Sequence, residues 1–284
     1  MTKIRDNELV KPMKLQEYRN KTYFLYYNYF RDVVTSMFTW NNTMDKKIPA
    51  DFIESTLFDY GSIGFFEDKK LGLVCGEVSG KNQSMYKQFE RYDCVSSAYC
   101  KYNIHKEDIV VLKNNNLGMS SAFICDYYAK QIADLERDIK CNINLQKFAI
   151  MGSCSEEEYL TYKNFIKKLD DGEPFILKKK NLDIENNLSL FNMKVPFIAQ
   201  DLIAIRDKYK SECFAHFGIN YNPSEGKKER LLKDEINSNN EQLTIANKSL
   251  LQYRVEGCKI INEKFGTNFS VNYSNKFKVE VGGD

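Results

Sequence analysis

Few residues in this sequence have types and spacings that could do chemistry, and the first candidates lie in the stretch GEVSGKNQS at residues 76–84. A phosphate-binding loop uses closely spaced backbone N–H groups and a lysine to hold the phosphates of a nucleotide. Here the two glycines are one residue too close together, and Asn82 stands where that loop needs a serine or threonine for Mg²⁺. The sequence therefore predicts no nucleotide site.

The cysteines, histidines and acidic residues also do not form a recognisable catalytic or metal-binding motif. None of the eight cysteines forms a CxxC pair, which disfavours a zinc ribbon or a thioredoxin-like site and favours reduced, mostly buried thiols. A nucleophile activated by histidine needs that histidine in contact, and only His105 and His216 are available. The acidic run at residues 156–158 follows Ser155 at a predicted helix start, where the helix dipole stabilises negative charge. We therefore predict no catalytic centre, no metal site and no cofactor.

The composition narrows the class of protein. The 284 residues are 43% hydrophobic and 28% charged, as in an ordinary globular chain, and they include 18 Tyr and 19 Phe against one Trp. The 41 basic and 39 acidic side chains give a net charge of +2, so no overall positive field indicates a nucleic-acid binder, although a local one is compatible with this total. No long apolar run predicts a membrane span, and the first residues lack the apolar core of a secretory signal. We expect a soluble intracellular protein.

Helical periodicity dominates the first 60 residues. Between residues 14 and 40, apolar side chains recur every three or four positions in two adjacent stripes, which predicts a helix buried over more than half its circumference. A shorter helix is predicted at residues 49–58, with Pro49 in its first turn. Short apolar runs between Gly, Asp and Asn turns then predict a small β-module over residues 61–116.

Two long helices are predicted in the second half of the chain. The first is capped by Ser120 or Ser121 and ends near Asn142, and the second starts at Pro196 and stops at Gly218. Both faces of the second helix carry apolar side chains, which is unusual for a surface helix of a monomer. One stripe comprises Ile198, Leu202, Ile205, Tyr209 and Cys213. We expect this helix to contact neighbours on two sides.

The remaining segments are a mixed region and a polar one. Residues 146–193 are read as a strand at 148–151, a helix at 155–169, a strand at 174–177 and a polar turn region. Residues 220–247 are polar, charged and rich in Asn, and an unstructured connection longer than about fifteen residues is usually functional or disordered. A plain solvated linker is the alternative. A last helix and one or two strands close the chain.

Four stretches carry a resemblance to a known family. YFLYYNYFRDVVTSMFTWNN and IPADFIESTLFDYGSIGFFEDKKLG lie near the start, and KKERLLKDEINSNNEQ and EGCKIINEKFGTNFSVNY lie near the end. Together they resemble the upper-collar (head–tail connector, or portal) proteins of small short-tailed Picovirinae-type phages. The resemblance extends over residues 14–274 and is weakest across 146–193.

This resemblance implies an α+β portal fold and a ring of about twelve subunits around an axial channel. It also implies a division of the chain, with an SH3-like β-module in the wing, long tilted stem helices and a small α/β clip. The implied parts are a wing at 1–117, stem helix 1 at 118–143, the clip at 144–194, stem helix 2 at 195–219, a channel loop at 220–247, and a wing return helix with C-terminal strand(s) at 248–284.

The family's role implies particular site residues. The ring is expected to conduct double-stranded DNA during packaging, retention and ejection and to join head to tail, without enzymatic activity. Where the family carries two channel lysines on stem helix 2, this sequence has Asp201 and Arg206, so one positive ring is lost or moved. Lys208 and Lys210 are the candidate substitutes. The implied channel-loop cations are Lys227, Lys228, Arg230 and Lys233. The apolar stripe from Ile198 to Tyr209 is the expected oligomer interface.

The resemblance also implies partners and a location. The expected partners are other copies of the chain, genomic double-stranded DNA without sequence preference, the major capsid protein, a lower-collar or tail protein and a packaging ATPase; participation of a packaging RNA is left open. The location is the head–tail junction of the virion, reached through the host cytoplasm during assembly. A near-neutral charge suits a conduit, because a densely basic bore would hold the DNA. A virion adaptor without a channel, such as a lower-collar component, and a soluble enzyme of unknown chemistry remain as alternatives.

Overall fold

The computed structural model is a mixed α+β chain, as predicted, and it describes residues 15–86, 88–96, 99–147, 150–153, 160, 163–164, 189–192, 196–219, 221 and 250–274. Backbone contacts divide the chain into two compact units. One unit comprises Met1–Arg137 together with Ala204–Asp284, and the other comprises Asp138–Ile203. In the part of the chain that the structure describes, no helix is both long and apolar enough to cross a bilayer.

The N-terminal helix is shorter than its sequence pattern suggests. Helix α1 spans Leu15–Thr35, and strand β1 follows at Phe38–Asn41. The prediction that the helix continues to Trp40 is wrong, because Phe38 and Trp40 are buried while the residues between and after them are exposed, which is the alternation of a strand. Strand β1 pairs with β9, Ser270–Tyr273, so the long-range pairing overrides a locally helical pattern.

The predicted β-module is a five-stranded antiparallel sheet. Helix α2, Ala50–Tyr60, precedes strands β2 to β6, which lie in the order β5-β4-β3-β2-β6. The strands are β2 Ser62–Asp68, β3 Gly72–Gln83, β4 Phe89–Val95, β5 Cys100–His105 and β6 Ile109–Lys113. Most of GEVSGKNQS lies inside β3 and pairs with β4, so it is extended backbone and not the strand-to-helix turn of a phosphate loop. The sequence analysis missed β4 and β5 because their side chains are largely polar.

The middle of the chain contains a long helix and a two-stranded sheet. Helix α3, Ala122–Lys147, starts where Ser120 Oγ accepts the Ala122 N–H at 3.0 Å, and it extends beyond the predicted end at Asn142. Strands β7 Ile150–Ser153 and β8 Ser189–Asn192 form an antiparallel pair. The first overlaps the predicted strand at 148–151, whereas the second lies where a polar turn was expected, and that prediction is wrong. The predicted strand at 174–177 and most of the predicted helix at 155–169 lie outside the described residues.

Two helices and a strand complete the described fold. Helix α4, Ala199–His216, ends at Gly218 with φ 71°, which confirms the predicted glycine stop. Helix α5 covers residues 250–265, and β9 follows it, as predicted. Of the predicted loop 220–247, only Tyr221 is among the described residues, and the possible strand at 277–281 lies outside them.

One large core joins most of these elements. Each fully buried aromatic or aliphatic side chain contributes about 1.5–3 kcal/mol, and this core takes such residues from α1, α2, β2, β6, α3, α4 and α5. Its most buried members include Phe30, Ile53, Leu57, Phe65, Leu112, Ile132, Phe214 and Ile261. Four of the seven described cysteines are buried, and none of the seven is joined to another described cysteine.

A buried ion pair ties α5 to α2. Arg254 donates from Nε and Nη2 to the two carboxylate oxygens of Glu54 at 2.8 Å, and both side chains are only 4% exposed. Trp40 Nε1 donates to the same carboxylate at 2.7 Å, and Arg254 also donates to the backbone and side-chain oxygens of Asn114. The guanidinium carbon lies 4.1 Å from the centre of the Phe38 ring. Every polar group of the pair therefore has partners, as a buried charge requires.

Candidate functional site

Helix α4 changes its environment along its length. Its second half enters the core through Cys213 and Phe214, and the half-buried Tyr209 has its ring 6.3 Å from that of Tyr128. In its first half the side chains of Ile203 and Ile205 are exposed, and so is that of Ile198 just before the helix. Exposed aliphatic side chains along one helix lose the free energy of burial unless another chain covers them. The first half of α4 is therefore a candidate protein–protein surface.

The positive charge of Arg206 is neutralised inside the subunit. Its Nη1 lies 3.0 Å from Glu136 Oε1 on α3, and its Nε and Nη2 donate to Asp207 Oδ1 at 2.9 and 2.8 Å. Burial alone lowers the pKa of Arg206, but the hydrogen bonds to the two carboxylates outweigh it and raise the pKa above its ordinary value. Arg206 therefore stays charged, while its field is largely cancelled by its neighbours.

Lys210 lies against α1 instead of extending into solvent. Its Nζ is 4.9 Å from the centre of the Tyr26 ring and 3.8 Å from Asp207 Oδ1. Burial first, and then repulsion from Arg206, lower the pKa of Lys210. Tyr26 in turn donates to Glu136, and burial followed by that carboxylate raises the pKa of Tyr26 to about 12. We call Arg206, Asp207, Lys210, Glu136 and Tyr26 the α4 charge cluster.

The sequence analysis did not anticipate that α1 packs against both long helices. Arg19 and Asp134 form a salt bridge, and Tyr23 donates to Asp126 at 2.7 Å, which ties α1 to α3. Tyr29 and Phe214 make an edge-to-face ring contact with centres 5.9 Å apart, which ties α1 to α4. The available signal was the unusual density of tyrosines in α1, whose hydroxyls reach polar partners while their rings remain in the core.

Several titratable groups lie in and near the five-stranded sheet, within the part of the chain that the structure describes. A cleft of about 660 Å³ beside β5 is lined by polar and charged side chains, among them Arg91, Lys101, His105, Asp108 and Lys264. Near the sheet, the Tyr99 hydroxyl and two backbone N–H groups lower the pKa of Asp68 to about 2, so this carboxyl is not a proton donor near neutral pH. Burial raises the pKa of Cys75 to about 12, so that thiol is not a ready nucleophile.

A comparison with known protein families shows to which family this chain belongs. The chain matches the family model described as Phage Connector (GP10) over residues 6–278. The chain belongs to the phage connector family. The connector is therefore a structural portal protein of the phage head–tail junction and not an enzyme, and the resemblance found in the four sequence stretches is confirmed.

Solved portal structures are similar to this connector over nearly its whole length. In the portal and tail of native bacteriophage P68, one chain is 17% identical with a TM-score of 0.50, and the match covers 97% of this chain and 92% of that one. A crystal structure of an HK97 family phage portal protein from Corynebacterium diphtheriae is 8% identical with a TM-score of 0.48, covering 91% of this chain and 94% of that one. The P68 match shows a shared fold.

The predicted channel residues of the connector fall into three groups. Asp201 is exposed on the first turns of α4. Arg206 and Lys210 belong to the α4 charge cluster and are mostly covered within the subunit. The loop cations Lys227, Lys228, Arg230 and Lys233 lie outside the described residues. Their roles in a channel remain predictions.

The predicted interface residues of the connector are also not equivalent. Ile198 and Ile205 are exposed, Leu202 is half-buried, and Tyr209 is half-buried and packed against the core. Tyr209 thus serves the subunit's own core, whereas Ile205 is available to another chain. The two positions can be separated by experiment.

Proposed function

We propose that this connector forms a closed ring of about twelve copies through head-to-tail contacts, and that the ring encloses the channel for double-stranded DNA. The observation that carries the proposal is the exposed aliphatic half of α4 in a member of the connector family. A head-to-tail contact uses two different surfaces on each copy, so a ring satisfies every copy without leaving an unpaired end.

We assign the wing, stem and clip as follows. The wing comprises 1–117 and 248–284, which is supported by the core and the buried ion pair that α2 and the sheet share with α5. The proposed stem helices are 118–143, most of which lies in α3, and 195–219, which includes α4. The clip at 144–194 includes the β7–β8 pair, and the channel loop is 220–247.

The charge cluster on α4 supports a bore that conducts DNA without gripping it. Each phosphate contact made by an uncompensated cation adds salt-dependent affinity and slows movement of the duplex. Arg206 pairs with Glu136 and Asp207, and Lys210 lies 3.8 Å from the same Asp207, so the stem offers little free positive charge at these positions. The channel loop, with its four cations, is then the place where DNA is held.

The proposed partners follow from this position in the virion. The wing meets the major capsid protein, the clip meets the lower-collar or tail protein, and a separate packaging ATPase supplies the energy during assembly in the host cytoplasm. Nothing in the described residues favours or disfavours a packaging RNA. A virion adaptor without a channel is the competing function, and it predicts a monomer or dimer where the connector predicts a ring.

Two substitutions on α4 test ring formation. Because Ile205 is exposed in the subunit, Ile205→Asp is expected to leave the subunit folded but to abolish the ring. Because Tyr209 packs against the core, Tyr209→Asp is expected to lower subunit stability as well. Native mass spectrometry gives the assembly state and circular dichroism gives the fold.

Ile205→Leu is the matched control, because it keeps an apolar side chain of similar volume at the same position, and it should retain the ring. A wild-type protein that is a stable monomer or dimer at micromolar concentration would contradict the proposed function. So would an Ile205→Asp ring with unchanged mass.

A second experiment tests the loop. Replacing Lys227, Lys228, Arg230 and Lys233 by Gln should leave ring formation unchanged but reduce retention of packaged DNA and flatten its salt dependence. The control neutralises four exposed lysines of the wing, namely Lys69, Lys70, Lys106 and Lys259. Equal losses from both sets of substitutions would contradict a specific role for the loop, as would wild-type retention in the loop variant.

A further inference from the structure

The start of α4 is held by a side chain of α3. Asn142 is only 7% exposed, and it uses both ends of its amide on backbone groups of the segment that leads into α4. Its Nδ2 donates to the Pro196 carbonyl at 3.0 Å, and its Oδ1 accepts from the Ile198 N–H at 3.1 Å. All three residues belong to one compact unit, although 54 and 56 positions separate Asn142 from its two partners. The amide therefore fixes the backbone at the start of α4 from a distant part of the sequence.

This contact replaces a cap that the sequence of α4 does not supply. Ile198 accepts the Leu202 N–H at 3.1 Å, so it is the residue from which the first helical turn begins. The N–H groups at a helix start have no partner within the helix and are usually satisfied by the side chain of a nearby polar residue. Isoleucine has no side-chain oxygen, and Asn142 satisfies the N–H of Ile198 across space, as the Glu of a capping box does within one helix. The first turn of α4 is therefore oriented by α3.

The backbone that Asn142 holds carries exposed apolar side chains. Phe197 and Ile198 are exposed, and so is Ile203 in the second turn of α4, whereas Ala199 is buried. A segment whose backbone is fixed before binding loses less conformational entropy when a partner covers it. The two hydrogen bonds of Asn142 therefore prepare this stretch for contact with another chain.

We propose that Asn142 is a positioning residue for the contact between copies in the ring. By fixing the backbone of residues 196–198, it holds the apolar start of α4 in the orientation that the neighbouring copy meets. This inference rests on the proposed function, because it adds a buried residue behind the α4 surface that carries the ring. Without the two hydrogen bonds, the start of α4 must be ordered during association, and the ring becomes weaker.

Asn142→Leu tests this role. Leucine has a similar volume and a high helix propensity in α3, but it can make neither hydrogen bond. Hydrogen exchange measured by mass spectrometry is expected to be faster in the peptide that contains Ile198 and unchanged in peptides from β1 and β2. When rings are diluted and counted by mass photometry, they are expected to dissociate at a concentration about tenfold higher than wild-type rings, as a lost hydrogen bond predicts.

Asn262→Leu is the matched control, because Asn262 makes the same pair of contacts between α5 and β9. Its Nδ2 donates to the Phe269 carbonyl at 2.8 Å, and its Oδ1 accepts from the Phe269 N–H at 2.7 Å. The control is expected to lower the urea midpoint measured by Trp40 fluorescence and to leave the dissociation of the ring unchanged. If Asn142 served only the stability of the subunit, Asn142→Leu would behave in the same way.

Asn142→Asp provides a second variant if leucine prevents folding. An ionised aspartate can still accept from the Ile198 N–H but cannot donate to the Pro196 carbonyl. Its rings are therefore expected to dissociate at a higher concentration than those of the wild type. Unfolded subunits in both variants would assign Asn142 to the fold of the subunit and would overturn the proposal.

The two proposals fail in distinguishable ways. If Asn142→Leu forms rings as stable as those of the wild type, Asn142 does not position the contact, while the ring itself stands. Unchanged hydrogen exchange at Ile198 in that variant would also overturn the inference. If the wild type forms no ring, the proposed function is contradicted and the role of Asn142 falls with it.

Discussion

The buried pair Glu54–Arg254 and the α4 charge cluster use the same kind of ion pair in two different environments. In the first, both side chains are 4% exposed, and the guanidinium is surrounded by the carboxylate, Asn114 and the Phe38 ring. In the second, Arg206 is 22% exposed and pairs with two carboxylates, of which that of Asp207 also lies near Lys210. The contact between α2 and α5 is fixed by burial, whereas the charges of the α4 cluster can exchange partners within a short distance.

The two ion pairs differ in how strictly each one fixes the arrangement of the helices that it joins. A buried pair with complete hydrogen bonding specifies one arrangement, because every alternative leaves a charge without a partner in a low dielectric. A half-exposed cluster with more than one partner for each charge tolerates small shifts, because water replaces a lost contact. The contact between α2 and α5 is therefore fixed in one geometry, whereas the α4 charge cluster tolerates small shifts of its side chains.

The largest effect is expected from removing Arg254. Arg254→Met leaves the Glu54 carboxylate buried without its cation, and breaking a buried pair in this way costs about 3–5 kcal/mol. Urea unfolding followed by fluorescence measures it well, because Trp40 is the only tryptophan and donates to Glu54. The double variant Glu54→Gln/Arg254→Met should regain part of the loss. A loss below about 1 kcal/mol for the single variant would contradict the comparison.

A smaller effect is expected from the matched change in the cluster. Arg206→Met should lower the free energy of unfolding by about 1 kcal/mol, because Glu136 and Asp207 remain in reach of water and of Lys210. Measuring it in the Ile205→Asp background removes the contribution of ring contacts. An equal loss in the free energy of unfolding for Arg206→Met and Arg254→Met would contradict the difference between the two ion pairs.

The smallest effect is expected at the end of β2, where hydrogen bonds hold the partly buried carboxylate of Asp68. Its carboxylate accepts from Tyr99 Oη at 2.7 Å and from the Lys70 and Leu71 N–H groups at 2.8 and 3.1 Å, which lowers its pKa to about 2. A carboxyl whose pKa is lower when folded stabilises the fold above its unfolded pKa, which is about 3.9, and loses that contribution as the pH falls towards 2.

Comparing the pH dependence of stability in the wild type and in Asp68→Asn tests whether Asp68 stabilises the fold above its unfolded pKa. Urea midpoints measured between pH 5 and pH 2 should fall more steeply for the wild type than for Asp68→Asn, and the two proteins should converge at the acid end. Parallel curves would show that protonation of Asp68 does not change the stability of the fold. Asp68 differs from the two ion pairs because hydrogen bonds from Tyr99 and from two backbone N–H groups, rather than a close cation, hold its charge.

The sequence predicts local structure in this protein better than long-range contacts. Gly218 stops α4 through its left-handed backbone, and the cap at Ser120 starts α3, because both signals act within a few residues. The end of α1 was misplaced because Phe38 and Trp40 continue a helical spacing, yet their partners Tyr273 and Val271 lie at the other end of the chain. No periodicity in a single sequence reveals such pairing.

At the candidate site, too, local features could be predicted from the sequence and long-range contacts could not. The two apolar faces of α4 could be predicted from spacing, and the family could be identified from four stretches. The positions of Arg206 and Lys210 could not, because a basic residue between apolar ones is compatible with solvent, a channel or an intramolecular pair. In the structure, Arg206 contacts Glu136 on α3 and Lys210 contacts the ring of Tyr26 on α1, so both cations are held inside the subunit. Glu136 and Tyr26 are far from α4 in sequence.

The pairing of β1 with β9 also has a consequence for the timing of biosynthesis. Residues 38–41 leave the ribosome early, but their partners at 270–273 are among the later residues to be made. Domains fold as units during synthesis, and contacts of long sequence separation form slowly because a large loop must be closed first. A nascent chain therefore keeps β1 without its partner strand, and part of its core incomplete, until residues 270–273 have been made. Prematurely terminated chains lack β9, so they expose this edge to chaperones and proteases before they reach an assembling ring.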